Sequence, residues 1–268
     1  MNYGLTDPDY LRKDQYKDSS NLSARADLHQ LFSTNHIGWH FWVLDQLNIP
    51  EKCRILELGC GPGYLWKQNR KRIQSGWDIY LSDISAGMLE EASTDLGNSG
   101  IFKHIVHDAC KIPFPKTVFD AVIANHMLYH LPDIPAAAKE ISRVLKPAGC
   151  LYASTNGEAH LKEIRDWKSQ FFPEQEGPDW GTPTLRFSIE NGEDILRQEF
   201  SNIRFLEYPD SLIVDQVEPI IRYIKSYTKL DETDFQTLKL RRYLQNRISE
   251  NGSIEITKDS GMFIAVKH

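Results

Sequence analysis

No apolar run in this 268-residue chain approaches the roughly 20 residues that a membrane span needs. Residues 1–20 are polar and charged, without the apolar stretch a signal peptide uses, so a cytoplasmic protein with no membrane partner is expected. Cysteine is scarce: Cys53, Cys60, Cys110 and Cys150, none in C-x-x-C spacing. That pattern fits small buried thiols in a reducing compartment rather than a metal or disulfide framework. Positive charge is not in excess. With 31 Lys and Arg against 37 Asp and Glu, the formal net charge is −6, which argues against broad binding to nucleic acid, where phosphates must be neutralised. The basic run Lys67, Arg70, Lys71, Arg72 is local and reads as a solvated helix face. His36 and His40 stand four apart, as do His126 and His130, which on helices would put each pair on one face. No H-E-x-x-H carboxylate motif accompanies them, and no metal site is expected. Internal repeats and low-complexity segments are also missing.

What is present centres on Ile55-Leu56-Glu57-Leu58-Gly59-Cys60-Gly61-Pro62-Gly63. A short apolar strand with an acidic residue near its end runs into a turn with glycine at alternate positions. A buried parallel strand feeding such a turn and then a helix makes the small-molecule site of a doubly wound α/β sheet. A dinucleotide site wants G-x-G-x-x-G and free amides facing a pyrophosphate. Here the order is G-x-G-x-G, and Pro62 removes one of those amides. A ligand without phosphate at that point tolerates the loss.

The rest of the chain alternates strands and helices. Two helices are expected over 22–47, broken at Ser33-Thr34-Asn35. Strands are expected at 53–58, 77–82, 101–107, 118–124 and 150–155. Helices are expected at 64–73, 85–96 and 133–145, the last stopped by Lys146-Pro147-Ala148-Gly149. Asp83 ends the second strand some two dozen residues after Gly59, where a Rossmann-like unit holds ribose hydroxyls; a helix N-cap role for Asp83 or Ser85 competes with that reading. Beyond Asn156 the expected elements are helices at 160–172, 190–200, 217–227 and 234–248, a strand at 203–208, and a hairpin over 253–267 turning at 258–261. Residues 173–183, rich in proline, glycine and acid, form a plausible rim or gate.

The order E-L-G-C-G-P-G resembles the first motif of the class I S-adenosylmethionine-dependent methyltransferases, E/D-x-G-x-G-x-G. Two further stretches share the resemblance: Phe119-Asp120-Ala121-Val122 leading to Asn125-His126-Met127-Leu128-Tyr129-His130-Leu131, and Leu145-Lys146-Pro147-Ala148-Gly149 entering the fifth strand. It implies a doubly wound, mostly parallel seven-stranded α/β sheet with helices on both faces and an antiparallel edge strand. Residues 1–50 would form an N-terminal arm and helical lid, 51–155 the cofactor-binding core, and 156–268 substrate-side helical insertions plus the closing strands of one domain. The implied cofactor is S-adenosyl-L-methionine, with S-adenosyl-L-homocysteine as product. The implied cofactor-binding residues are Glu57, Gly59, Gly61, Gly63, Asp83, Ile84, Met88, Asp108, Ala109 and Asn125, with Tyr16 and Arg25 reaching in from the N-terminal segment.

The methyl of a sulfonium is already activated, so the protein mainly supplies proximity and alignment. A base is needed only where the acceptor must lose a proton, and His126 and His130 are the candidates. Trp39, Tyr129 and Trp180 are candidate substrate contacts, although aromatics of this kind also serve as core. No N/D-P-P-Y follows the fourth strand and no Pro-Cys pair is present, which disfavours methylation of DNA bases. The expected acceptor is a small molecule, attacking through oxygen, nitrogen or carbon. Three other readings stand beside it: a non-catalytic protein that binds the cofactor or its product, an RNA or protein methyltransferase, and a nicotinamide-dependent oxidoreductase. The last lacks a Tyr-x-x-x-Lys pair, since Tyr129 is followed at that distance by Asp133.

Overall fold

The computed structural model describes residues 6–7, 9, 11, 20–97, 100–173, 185–226, 231 and 233–268. Its centre is a seven-stranded sheet. Strand β1 (Cys53–Leu58) pairs in parallel with β2 (Trp77–Asp83) on one side and β4 (Phe119–Asn125) on the other. Outside β2 lies β3 (Phe102–Val106), and outside β4 lies β5 (Leu145–Asn156), both parallel. The sheet is completed by β6 (Phe200–Glu207) and by a final strand, which here takes the number β9 (Ser260–Lys267), in the order β3-β2-β1-β4-β5-β9-β6. The antiparallel strand expected at the edge is β9; it stands one place in, covered by β6.

The central strands are buried because their residues are apolar on both sides: β1 reads Cys-Arg-Ile-Leu-Glu-Leu, and only Arg54 is exposed. Near-continuous burial is what a parallel sheet sandwiched between helices requires. Helices α1 (Ser20–Phe32) and α2 (Trp39–Gln46) precede the sheet, separated by the expected break. Between the strands come α3 (Tyr64–Gln68), α4 (Ala86–Leu96) and α5 (Ile134–Val144). The first of these is shorter than the sequence suggests, passing into a tight 3₁₀ turn at Arg70–Arg72. Ser85 caps α4 by accepting the Met88 amide (3.3 Å), and Asp133 caps α5 by accepting the Ala136 amide (2.9 Å). Lys146-Pro147-Ala148-Gly149, expected to stop α5, lies within β5, where the pairing with β4 is irregular.

Later elements are α6 (Lys162–Phe171), α7 (Gly192–Leu196), β7 (Ser211–Val214), α8 (Val217–Lys225), α9 (Phe235–Asn251) and β8 (Ile254–Thr257). The expected hairpin does not form. Instead β8 pairs with β7 in a separate two-stranded sheet, while β9 enters the main sheet between β5 and β6. The physical reason is that both strands bury apolar faces in different places. Ile254 and Ile256 join a third core with Leu212, Val214, Ile220 and Leu240, whereas Met262 and Ile264 line the main sheet. Leu28 and Phe32 of α1 belong to that third core, so the N-terminal helix packs with the late insertion, chiefly along α8. Together they form a cap over the carboxyl ends of the strands. Tyr16, Trp180 and most of the expected gate lie outside the described residues. No helix among the described residues is long and apolar enough to cross a membrane.

Candidate active site

Strand order reverses at β1, with β2 and β3 to one side and β4 and β5 to the other. The crevice at such a switch point is where doubly wound sheets bind ligands. Here it opens into a cavity of about 890 Å³ under the cap.

At its floor the chain leaves β1 through Gly59, Gly61 and Gly63, with φ of 60°, 54° and 76°. Two of these glycines have distinct steric duties. A Cβ on Gly59 would sit 2.9 Å from Met127 Cβ, so the turn lies hard against the segment leaving β4. A Cβ on Gly63 would meet Leu96 and Ala92 of α4 at 3.2 and 3.3 Å. Gly63 therefore permits helix packing, and unlike Gly59 and Gly61 it is not among the cavity-lining residues.

Asp83 joins this turn to the next. One carboxylate oxygen accepts the Gly61 amide (2.9 Å) and the other the Ser85 amide (2.8 Å). Burial raises its pKa against the pull of those amides. Each oxygen keeps a further lone pair that could accept a ligand hydroxyl. Ile84 and Met88 line the wall beside it, as do Asp108 and Ala109 after β3. Asp108 also accepts the Cys110 amide (2.8 Å), so its turn role and its place on the cavity coexist.

Glu57 is 2% exposed, and its Oε2 accepts the Trp66 indole N–H at 2.6 Å. Burial, only partly offset by the bonds from Trp66 and Asn125, pushes its carboxyl up to about 8. Near neutrality this acid is thus held largely protonated, ready to ionise beside a cation. Asn125 sits between Glu57 and Ser154, whose hydroxyl donates to the Asn125 carbonyl (3.2 Å).

The chain then turns sharply. His126 has φ of 48°, a left-handed conformation held by amide bonds to Ser154 Oγ (3.0 Å) and Ser154 O (3.2 Å). His130 closes a short 3₁₀ turn, Leu128–His130. The pair is therefore not on one helical face, and the zinc-like spacing loses its meaning. Among the described residues no group of three or more His, Cys, Asp or Glu is arranged to hold a metal ion. The His126 ring lies 4.8 Å from the Trp39 ring, and the Tyr129 and His130 rings are 4.6 Å apart. All four line the cavity, with Arg25. Burial, aided by Lys258, His40 and His130, lowers the His126 pKa to about 3. So weak a base is poorly matched to taking a proton near neutral pH, contrary to the role expected from sequence.

Several cavity residues were not singled out from sequence: His29, His160, Tyr208 and Lys258. Tyr208 had been expected only as a strand end, and Lys258 and Asp259 only as a hairpin turn. No local signal marks them, because what unites them is the packing of α1 on elements nearly 200 residues later.

The sheet order, the glycine turn and the acidic strand ends are those of a doubly wound, Rossmann-like α/β domain. Residues 56–153 match the family described as "Methyltransferase domain". A ubiquinone/menaquinone biosynthesis C-methyltransferase, UbiE, of Chromobacterium violaceum is 32% identical over 118 residues, covering 44% of this chain and 48% of that protein. The biotin biosynthesis bifunctional protein BioHC of Saccharophagus degradans is 36% identical over 120 residues, 44% of this chain and 21% of that one. The chain thus spans between about a fifth and a half of these relatives. Among solved structures, a Haemonchus contortus phosphoethanolamine N-methyltransferase 2 in complex with phosphomonomethylethanolamine and S-adenosylhomocysteine superposes with a TM-score of 0.60 at 20% identity, over 98% of this chain and 60% of that chain. At that identity the likeness speaks for the fold alone.

Proposed function

We propose that the protein is an S-adenosylmethionine-dependent methyltransferase acting on a small-molecule acceptor. The observation that carries this reading is Asp83. Its carboxylate is fixed by two backbone amides at the end of β2, beside the glycine turn, with acceptor capacity left for a pair of ribose hydroxyls. The methyltransferase relatives over the same core add support.

When bound, the cofactor supplies a methyl group already activated on a sulfonium. Asp83 would hold the ribose, and Asp108 with Ala109 would flank the adenine. Glu57 would ionise opposite the cationic end, a change its buried position makes sensitive to nearby charge. The cap of α1, α2 and the late insertion would enclose the acceptor and exclude water. His126, neutral and packed against the Trp39 ring, is better suited to orienting the acceptor by hydrogen bonding than to removing its proton.

Isothermal titration with S-adenosylmethionine, S-adenosylhomocysteine and NAD tests the reading. Binding of the first two and not of NAD is expected. Asp83→Asn keeps the size but removes the charge and should weaken both by about tenfold or more, the scale of a charge-assisted hydrogen bond. Binding of NAD alone, or of none of the three, would overturn it.

A further inference from the structure

The cavity is divided by charge. Its lining carboxylates, Glu57, Asp83 and Asp108, all sit at the strand ends assigned to the cofactor. The other charged or imidazole side chains of the lining include Arg25, His29, His160, Arg165 and Lys258. Resting on the methyltransferase reading above, we propose that the acceptor is an anion, a small molecule bearing a carboxylate or phosphate group held by Lys258 with His29 and His160.

Lys258 follows β8 directly, and its side chain is 7% exposed. It lines the cavity while its carboxylate partner Asp210, fully buried, stands behind it at 2.5 Å. Asp210 is committed elsewhere as well, accepting from Ser33 Oγ (2.7 Å), Thr34 Oγ1 (3.2 Å) and the Asn35 amide (3.0 Å). An ammonium has three donors, and one goes to Asp210. Burial lowers the Lys258 pKa, and the Asp210 contact opposes that effect.

His160 is oriented by its own surroundings. Its Nδ1 accepts the Asp259 amide (3.3 Å), which places the ring proton on Nε2 and makes that atom a donor. Ser260 Oγ lies 3.1 Å from the same Nδ1 and donates to Asn156 (2.7 Å). The His29 ring stacks on His160 with centroids 6.0 Å apart, and its buried Nδ1 has no hydrogen-bond partner among the described residues. A buried polar atom left unsatisfied in a cavity wall calls for an explanation, and a ligand supplies one. His29, His126 and Lys258 line the same cavity, and burial first, then Lys258, depresses the pKa of both imidazoles.

Aromatic rings near this end would otherwise suit a cationic acceptor. That alternative is weakened by Lys258 itself, whose Nζ already lies 5.2 Å from the centre of the Tyr208 ring. A second cation at that face would meet the first. An ammonium with imidazole N–H donors is instead the arrangement that binds carboxylate or phosphate.

The test uses the full chain with S-adenosylhomocysteine, whose binding is measured first. Benzoate, phenyl phosphate, benzamide and benzylamine are then titrated as probes. At least one anion should bind about tenfold or more tightly than benzamide, and which anion does so distinguishes carboxylate from phosphate. Lys258→Arg should retain the preference and Lys258→Met should lose it. Because Lys258→Met strands a buried carboxylate, Lys258→Met combined with Asp210→Asn is made as well, and it too should lose the preference. Equal or tighter binding of benzamide or benzylamine, no binding of either anion, or a preference that survives in the double variant would overturn the proposal. S-adenosylhomocysteine binding without anion preference sinks this proposal alone. Anion preference without S-adenosylhomocysteine binding sinks the methyltransferase reading and leaves an anion site.

Discussion

The buried acid Glu57 makes the stability of the ligand-free protein depend on pH in a direction opposite to that of an ordinary paired carboxylate. Its pKa is about 8 in the folded protein against 4.5 as the reference value. Between those values the folded state holds a proton that the unfolded chain has released. Stability from this group is therefore complete below about pH 4.5 and is lost as pH rises toward about 8. A separation of about 3.5 units corresponds to on the order of 4–5 kcal/mol across the window. Glu57→Gln removes the titration while keeping an oxygen to accept the Trp66 indole N–H. Urea unfolding of the ligand-free protein at intervals from pH 5 to 9 would read the effect. The wild type should lose stability relative to Glu57→Gln steadily up to about pH 8, after which the difference levels off. Parallel curves across that range would refute the reasoning, because they would mean that Glu57 is already ionised in the empty site. The same logic predicts that binding a cationic ligand near pH 7 releases a fraction of a proton from Glu57. Titrations in buffers of different ionisation enthalpy would detect it.

Gly59→Ala should destabilise the protein by roughly 2–3 kcal/mol and abolish S-adenosylhomocysteine binding, since it adds a left-handed penalty and a contact with Met127. Gly97→Ala is its control. That glycine also has positive φ, with ψ of 177°, a region essentially confined to glycine, but a Cβ there meets nothing within 4 Å among the described residues, so only a backbone cost of about 1–3 kcal/mol is expected, read by urea unfolding with ligand affinity intact. Asp133→Ala removes the α5 cap and should cost about 1 kcal/mol by the same measurement, because only the Ala136 amide loses its partner.

The strand-end half of the cavity was legible in the sequence because its geometry is local. Glu57, Gly59 and Gly61 lie on one strand-turn unit; Asp83 ends β2 and Asp108 follows β3, strands that pair with their neighbours in simple parallel register. Strand period, glycine spacing and acidic strand ends carry that information within about 55 residues. The insertion was less legible. Alternation predicts a hairpin over 253–267 turning at 258–261, but alternation alone does not say which partner each strand chooses. Pairing was decided by distant apolar faces: Leu212 and Val214 took β8, while the open side of β5 took β9.

The half of the cavity beneath the cap was hidden for the same reason, and Asp210 shows how. This one buried carboxylate holds Lys258 from the end of the chain and Ser33, Thr34 and Asn35 from its beginning, at sequence separations of 48 and of 175 to 177. Burial alone would raise its pKa, but the bonds from Lys258 and Ser33 outweigh that and hold it below the usual value. The carboxylate therefore fixes the helix break at 33–35 over the same cavity that Lys258 enters. Removing one partner leaves a buried charge uncompensated, which ties the position of the cap to the electrostatics of the cavity wall that Lys258 lines. A single ion pair thus sets both how the cavity is covered and what charge it presents. No window of sequence short enough to be read for local structure contains both of its members.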